Sequence, residues 1–96
     1  MFLYNISIIV EEGQHSTLKN WLQNEWIPSL PQETKFLKML NSPHEGHTYC
    51  IQMLLSDIAE ISDIQNNNLH EVQAHITQNY PEKAFIFDSV MEYLLD

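Results

Sequence analysis

Phe2, Tyr4, Ile6, Ile8 and Val10 occupy every second position of the opening segment, with Asn5 and Ser7 between them. This is the pattern of a strand with one dry face, because successive side chains leave a pleated backbone on opposite sides. Glu11, Glu12 and Gly13 interrupt it, and Leu18, Trp21, Leu22, Glu25 and Trp26 then recur at three- and four-residue steps. The apolar members form one stripe of a helix, predicted from about Gln14 to Glu25. Pro28 and Pro31 stop it, since proline lacks an amide hydrogen and restricts the residue before it. Two short apolar runs, Lys35 to Asn41 and Thr48 to Leu55, flank Ser42-Pro43-His44-Glu45-Gly46-His47, whose Pro and Gly suit a tight hairpin connection. Asp57 has the chemistry of an N-cap, with Glu60 three residues on. Ile58, Ile61 and Ile64 start a second helical stripe that resumes at Leu69, Val72 and Ile76. Between the two parts lies Asn66-Asn67-Asn68, three poor helix formers that predict a kink or short break. Pro81 closes this helix, and Ala84-Phe85-Ile86-Phe87 begins a last strand running towards the C-terminus.

The order is therefore β, α, β, β, α, β. It corresponds to an α+β, ferredoxin-like βαββαβ fold, an antiparallel four-stranded sheet with both helices on one face. A chain of 96 residues buries only about 60 to 65% of its unfolded surface, enough for one core, so residues 1–96 are read as a single domain. With Tyr4, Ile6, Ile8 and Val10 under the helices beside Tyr49, Ile51, Met53 and Leu55, the open face shows Asn5, Ser7, Ile9, Cys50, Gln52 and Leu54. That surface is half polar and half apolar. A second copy of the chain is its simplest cover, which gives a homodimer interface through Ile9, Cys50, Gln52 and Leu54.

Composition narrows the partners. Thirteen acidic residues oppose four lysines, with no arginine, for a formal charge of -9. Nucleic acid is excluded as a partner, because phosphate-backbone affinity comes mainly from clustered Lys and Arg, and anionic ligands lose their usual bidentate clamp. No apolar run approaches the roughly 20 residues of a membrane helix, and the first residues alternate like a strand rather than like a secretory signal. Cys50 is the single cysteine, so an intrachain disulfide and a cysteine zinc cluster are both ruled out. The expected location is the reducing cytoplasm.

Candidate chemistry is sparse. His44, Glu45 and His47 put three metal-ligand types within four positions, but a solvated turn offers neither a complete ligand set nor a fixed second shell. His70 and His75 are spaced to different sides of their helix, and His15 reads as a surface residue. No metal site and no cofactor are expected. Trp21 and Trp26 sit at core spacing beside Leu18 and Leu22, and Glu11, Glu12, Glu60, Asp63 and Glu71 are scattered as solvated surface. Cys50 reads as a small interface hydrophobe. Asn5, Ser7, Cys50, Gln52 and Asp88 remain as the polar lining of a ligand site between the sheet and its partner.

Tyr4-Asn5-Ile6-Ser7-Ile8, Trp21-Leu22 followed by Ile27-Pro28, Phe36, Thr48-Tyr49-Cys50-Ile51-Gln52, and Lys83 through Phe87 together resemble the small bacterial proteins grouped as domain of unknown function 4286. The resemblance extends over nearly the whole chain, and it implies similarity to the dimeric α+β barrel superfamily, which includes cofactor-free monooxygenases, haem-degrading enzymes and plain ligand binders. Trp26 stands where the family has His before Ile-Pro, and Asp88 where relatives carry a basic residue. The functional expectation is a non-enzymatic homodimer that binds a neutral or cationic small molecule, or a protein. The alternative that the resemblance implies is a cofactor-independent monooxygenase.

Overall fold

The computed structural model describes residues 1–95. Strand β1 (Phe2–Val10) leads through a short turn into helix α1 (His15–Trp21), which passes without interruption into a π-helical turn (Leu22–Trp26) and a 3-10 turn (Ile27–Ser29). A hairpin of β2 (Thr34–Met39) and β3 (His47–Leu55) follows, then helices α2 (Ile58–Asn66) and α3 (Asn68–Asn79), and finally strand β4 (Ala84–Glu92). The sheet order is β2-β3-β1-β4, antiparallel throughout. This is the ferredoxin-like arrangement expected from the element order. Among the described residues no helix is long and apolar enough to cross a membrane.

Strict alternation along β1 becomes strict alternation of burial. Tyr4, Ile6, Ile8 and Val10 are sealed under the helices with Tyr49, Ile51, Met53 and Leu55 of β3. Leu18, Leu22 and Trp26 come down from the first helical segment, and Ile61, Ile64, Leu69, Val72 and Ile76 from α2 and α3. Each such side chain contributes about 1.5 to 3 kcal/mol by leaving water, so this layer holds the helices to the sheet.

The first helical segment ends later than its prolines suggest. The amide of Ile27 donates to the carbonyl of Leu22, a five-residue step that widens the helix by one residue. The widening lets both Leu22 and Trp26 reach the core. Pro28 then falls in the first positions of the 3-10 turn, where its missing donor costs nothing. The break in the second helical stretch lies at Asn67, whose side chain donates to the carbonyl of Asp63 at 2.8 Å. Trp26 Nε1 donates to the carbonyl of Asn68 at 3.0 Å, tying the end of the first segment to the junction of α2 and α3. Asp57 caps α2 by accepting from the amide of Ala59 at 2.9 Å.

Candidate functional site

The strand register places the open-face residues in pairs. Asn5 lies opposite Gln52, Ser7 opposite Cys50 and Ile9 opposite Thr48, on the two central strands. Their side chains form one hydrogen-bonded strip. Gln52 Nε2 donates to Asn5 Oδ1 at 3.2 Å, Asn5 Nδ2 donates to Ser7 Oγ at 2.9 Å, and Ser7 Oγ contacts Cys50 Sγ at 3.8 Å. Apolar side chains flank the strip on both sides. Leu37 and Met39 stand on β2, Leu54 on β3, and Phe85, Phe87 and Met91 on β4, all exposed, with Phe87 the most open of these at 58%. A groove of about 400 Å³ opens beside Gln52, walled by Leu3, Lys35, Leu54 and Tyr93. Ile9, Cys50, Gln52 and Leu54 thus share one uncovered surface, with Ile9 and Gln52 half-buried, Leu54 exposed and Cys50 buried.

Asp88 does not join them. It pairs with Ile6, a core residue, so its side chain leaves the sheet on the helix side. There it accepts from Tyr4 Oη at 2.8 Å and from Gln65 Nε2 at 3.2 Å. Burial, and after it the bond to Asp88, push the Tyr4 hydroxyl well above the ordinary tyrosine range, which keeps it a neutral donor. Parity carries the reason, because Ala84, Ile86 and Asp88 alternate against Phe85, Phe87 and Ser89 and only the latter set faces outwards beside Ser7 and Asn5.

A second constellation lies on the helix side, at the end of β1. Of the sequence triad His44, Glu45 and His47, the last alone is drawn into it. His47 opens β3 opposite Val10 and hydrogen-bonds through Nε2 to the Glu12 carboxylate. Its ring stacks on His15 at 3.7 Å between centroids and 18° between planes. His15 Nδ1 is 3.0 Å from the Tyr49 hydroxyl, and Tyr49 stacks in turn with Phe36. Burial raises the Tyr49 hydroxyl and the Glu12 charge raises it further, whereas the bond from His47 holds Glu12 below the usual glutamate range. The hairpin turn that delivers His47 depends on Gly46. Its φ of 83° is left-handed, and a Cβ there would sit 2.4 Å from the carbonyl oxygen of Val10. Reading along the chain misses this grouping, since its members are local only through the β1–β3 register, and the signal that could have found it is the pairing of Val10 with His47.

The remaining histidines stay apart. His75 lies flat on Trp21 at 3.6 Å and 5°, and His70 is exposed.

No curated protein matches the chain in sequence. Its fold recurs in an EthD family protein of Bacillus halodurans, with a TM-score of 0.63 and 11% identity over 98% of this chain and 100% of the other. It recurs in HapK of Hahella chejuensis, with a TM-score of 0.61 and 17% identity over 100% and 95%. The heme-degrader MhuD of Mycobacterium tuberculosis gives 0.60 and 16% over 100% and 98%. At these identities the likeness establishes the ferredoxin-like fold alone. The model of the family described as Domain of unknown function (DUF4286) matches residues 1–94, and the chain belongs to that family.

Proposed function

We propose that two copies of the chain meet through their open sheet faces, and that the strip Gln52–Asn5–Ser7–Cys50 becomes the polar floor of an enclosed, non-catalytic site for a neutral small molecule. The carrying observation is an exposed apolar border around a hydrogen-bonded polar strip, the make-up of a ligand pocket with one wall missing. Charge supports the same pairing. Along the four strands the outward positions hold Lys35 as their sole charged residue, and Glu33, at the rim of the groove beside Gln52, is paired with that lysine at 3.8 Å, so two such faces meet with little repulsion between carboxylates. At about 4.8 Å between strands and about 3.3 Å per residue, the face measures roughly 19 by 30 Å. With the relief of its side chains this approaches the roughly 800 Å² that each partner contributes to a stable complex.

The polar groups are amide, hydroxyl and thiol, with no ionised carboxylate or imidazole among the four, which favours recognition over acid–base catalysis. The same fold in the heme-degrader MhuD holds two hemes in its active site, which supports a site for a flat, largely apolar molecule. Light scattering coupled to size exclusion tests the assembly. The wild type is expected to run as a dimer and Ile9→Lys as a monomer, because the substitution buries an unpaired charge, and a persistent dimer in Ile9→Lys would overturn the interface. Native mass spectrometry of freshly purified protein then tests the site. A retained small molecule is expected on the wild-type dimer and not on a Gln52→Leu dimer, and retention by Gln52→Leu would remove the strip from the site.

A further inference from the structure

We propose that Glu12, His15 and His47 form a binding site for a divalent transition-metal ion of the zinc class, separate from the open sheet face. One donor atom from each residue lies within 4.8 Å of the other two. Two imidazole nitrogens and one carboxylate oxygen are a zinc donor set that leaves a fourth position for water. Tetrahedral coordination at bond lengths of about 2.05 Å wants donors roughly 3.3 Å apart. The Glu12 carboxylate already hydrogen-bonds His47 Nε2, so the distances left to adjust are those to His15, and the set closes by rotation of Glu12, whose side chain is 80% exposed, while His47, 16% exposed, stays held.

The surroundings are those of a ligand set rather than of a solvated turn. Stacking at 3.7 Å keeps the two rings adjacent, and because imidazole lone pairs lie in the ring plane one ring turns out of the stack when both ligate, while Tyr49 lies 3.0 Å from His15 Nδ1. When Nδ1–H donates to the phenol oxygen, the lone pair of His15 Nε2 is left for the metal, the role that an outer hydrogen-bond partner plays for a ligating histidine. Glu11, Glu45 and Gly13 line the same groove of about 400 Å³ beside Glu12 and His47, so carboxylates surround the entry, and the net charge of -9 draws cations to it. His47 sits at the helix-side end of β3 opposite Val10, so the site is complete within one chain.

Titration of the full chain with zinc chloride by calorimetry tests this, with cobalt(II) absorption as the spectroscopic reading of a four-coordinate site. One zinc per chain is expected for the wild type. His15→Ala and His47→Ala should abolish the heat, Glu12→Gln, on an exposed side chain, should weaken binding at least about tenfold, and Tyr49→Phe should weaken it about 10- to 100-fold. His44→Ala should bind as the wild type does. The proposal is overturned if the wild type takes up no zinc, or if Glu12→Gln and His47→Ala, folded by circular dichroism, bind as tightly as the wild type.

Discussion

His75 lies parallel to the indole of Trp21 at 3.6 Å, and Asn79 Nδ2 stands 3.3 Å from its Nδ1, where it donates to an unprotonated nitrogen. Burial lowers the tendency of this imidazole to take a proton. The folded state therefore binds fewer protons here than the unfolded one, and stability that is intact above the ordinary histidine value of about 6.5 falls as the pH drops through the lower folded value. His75→Phe preserves the stack and removes the titration. Melting temperatures measured from about pH 7.5 down to about pH 5 should decline less steeply in His75→Phe than in the wild type, and equal slopes would show that His75 contributes nothing to the acid limb. At this scale the sequence told less than at any other. Spacing separates His75 from His70 correctly, but Trp21 as a stacking partner, and His15 beside His47, are neighbours only after the sheet and helices close. Asp88 was open to a better reading, since its parity with Ala84 and Ile86 along β4 already assigns it to the core side.

Among the elements, the β2–β3 hairpin is the one most dependent on a single residue. Gly46 takes a φ of 83° with the backbone of Val10 against it, so both the dihedral and the space exclude a side chain. Gly46→Ala should cost about 1 to 3 kcal/mol in left-handed strain alone, with more for the clash, read as a lower urea midpoint at unchanged slope. A midpoint within error of the wild type would mean that the turn relaxes elsewhere. Elements with local signals were legible: alternation names β1, Asp57 with its cap names the start of α2, and three asparagines name the break before α3. The end of the first helical segment was not, because the π-helical turn exists to bring Trp26 under the sheet and onto the carbonyl of Asn68, a partner 42 residues away.

For the whole molecule, an assembly through the open face couples stability to concentration. Where dissociation and unfolding occur together, each tenfold rise in protein concentration adds about 1.4 kcal/mol to the dimer. For a unit of twice this chain length that is roughly 3 to 6 °C in the melting midpoint. The wild type should show this rise and Ile9→Lys should not, and a wild-type midpoint independent of concentration would argue for folding as a lone domain. The fold itself was readable from order alone, since six elements in the sequence β, α, β, β, α, β leave few ways to bury every stripe. The polar strip was readable in part, because β1 alternates cleanly and the fold order sets β3 beside it, whereas the pairing of Asn5 with Gln52 and of Ser7 with Cys50 comes with the closed sheet.

The central place of β1 has a consequence for synthesis. One of its ladders waits for β3 and the other for β4, whose first residue, Ala84, pairs with Val10. At about 5 to 20 residues per second, a ribosome takes roughly 4 to 15 s to pass from Val10 to Ala84. Between the emergence of β1 and that of β4, an interval of the same length, the most apolar strand of the protein keeps one edge unpaired, which exposes the nascent chain to edge-to-edge association that the finished sheet does not offer along β1.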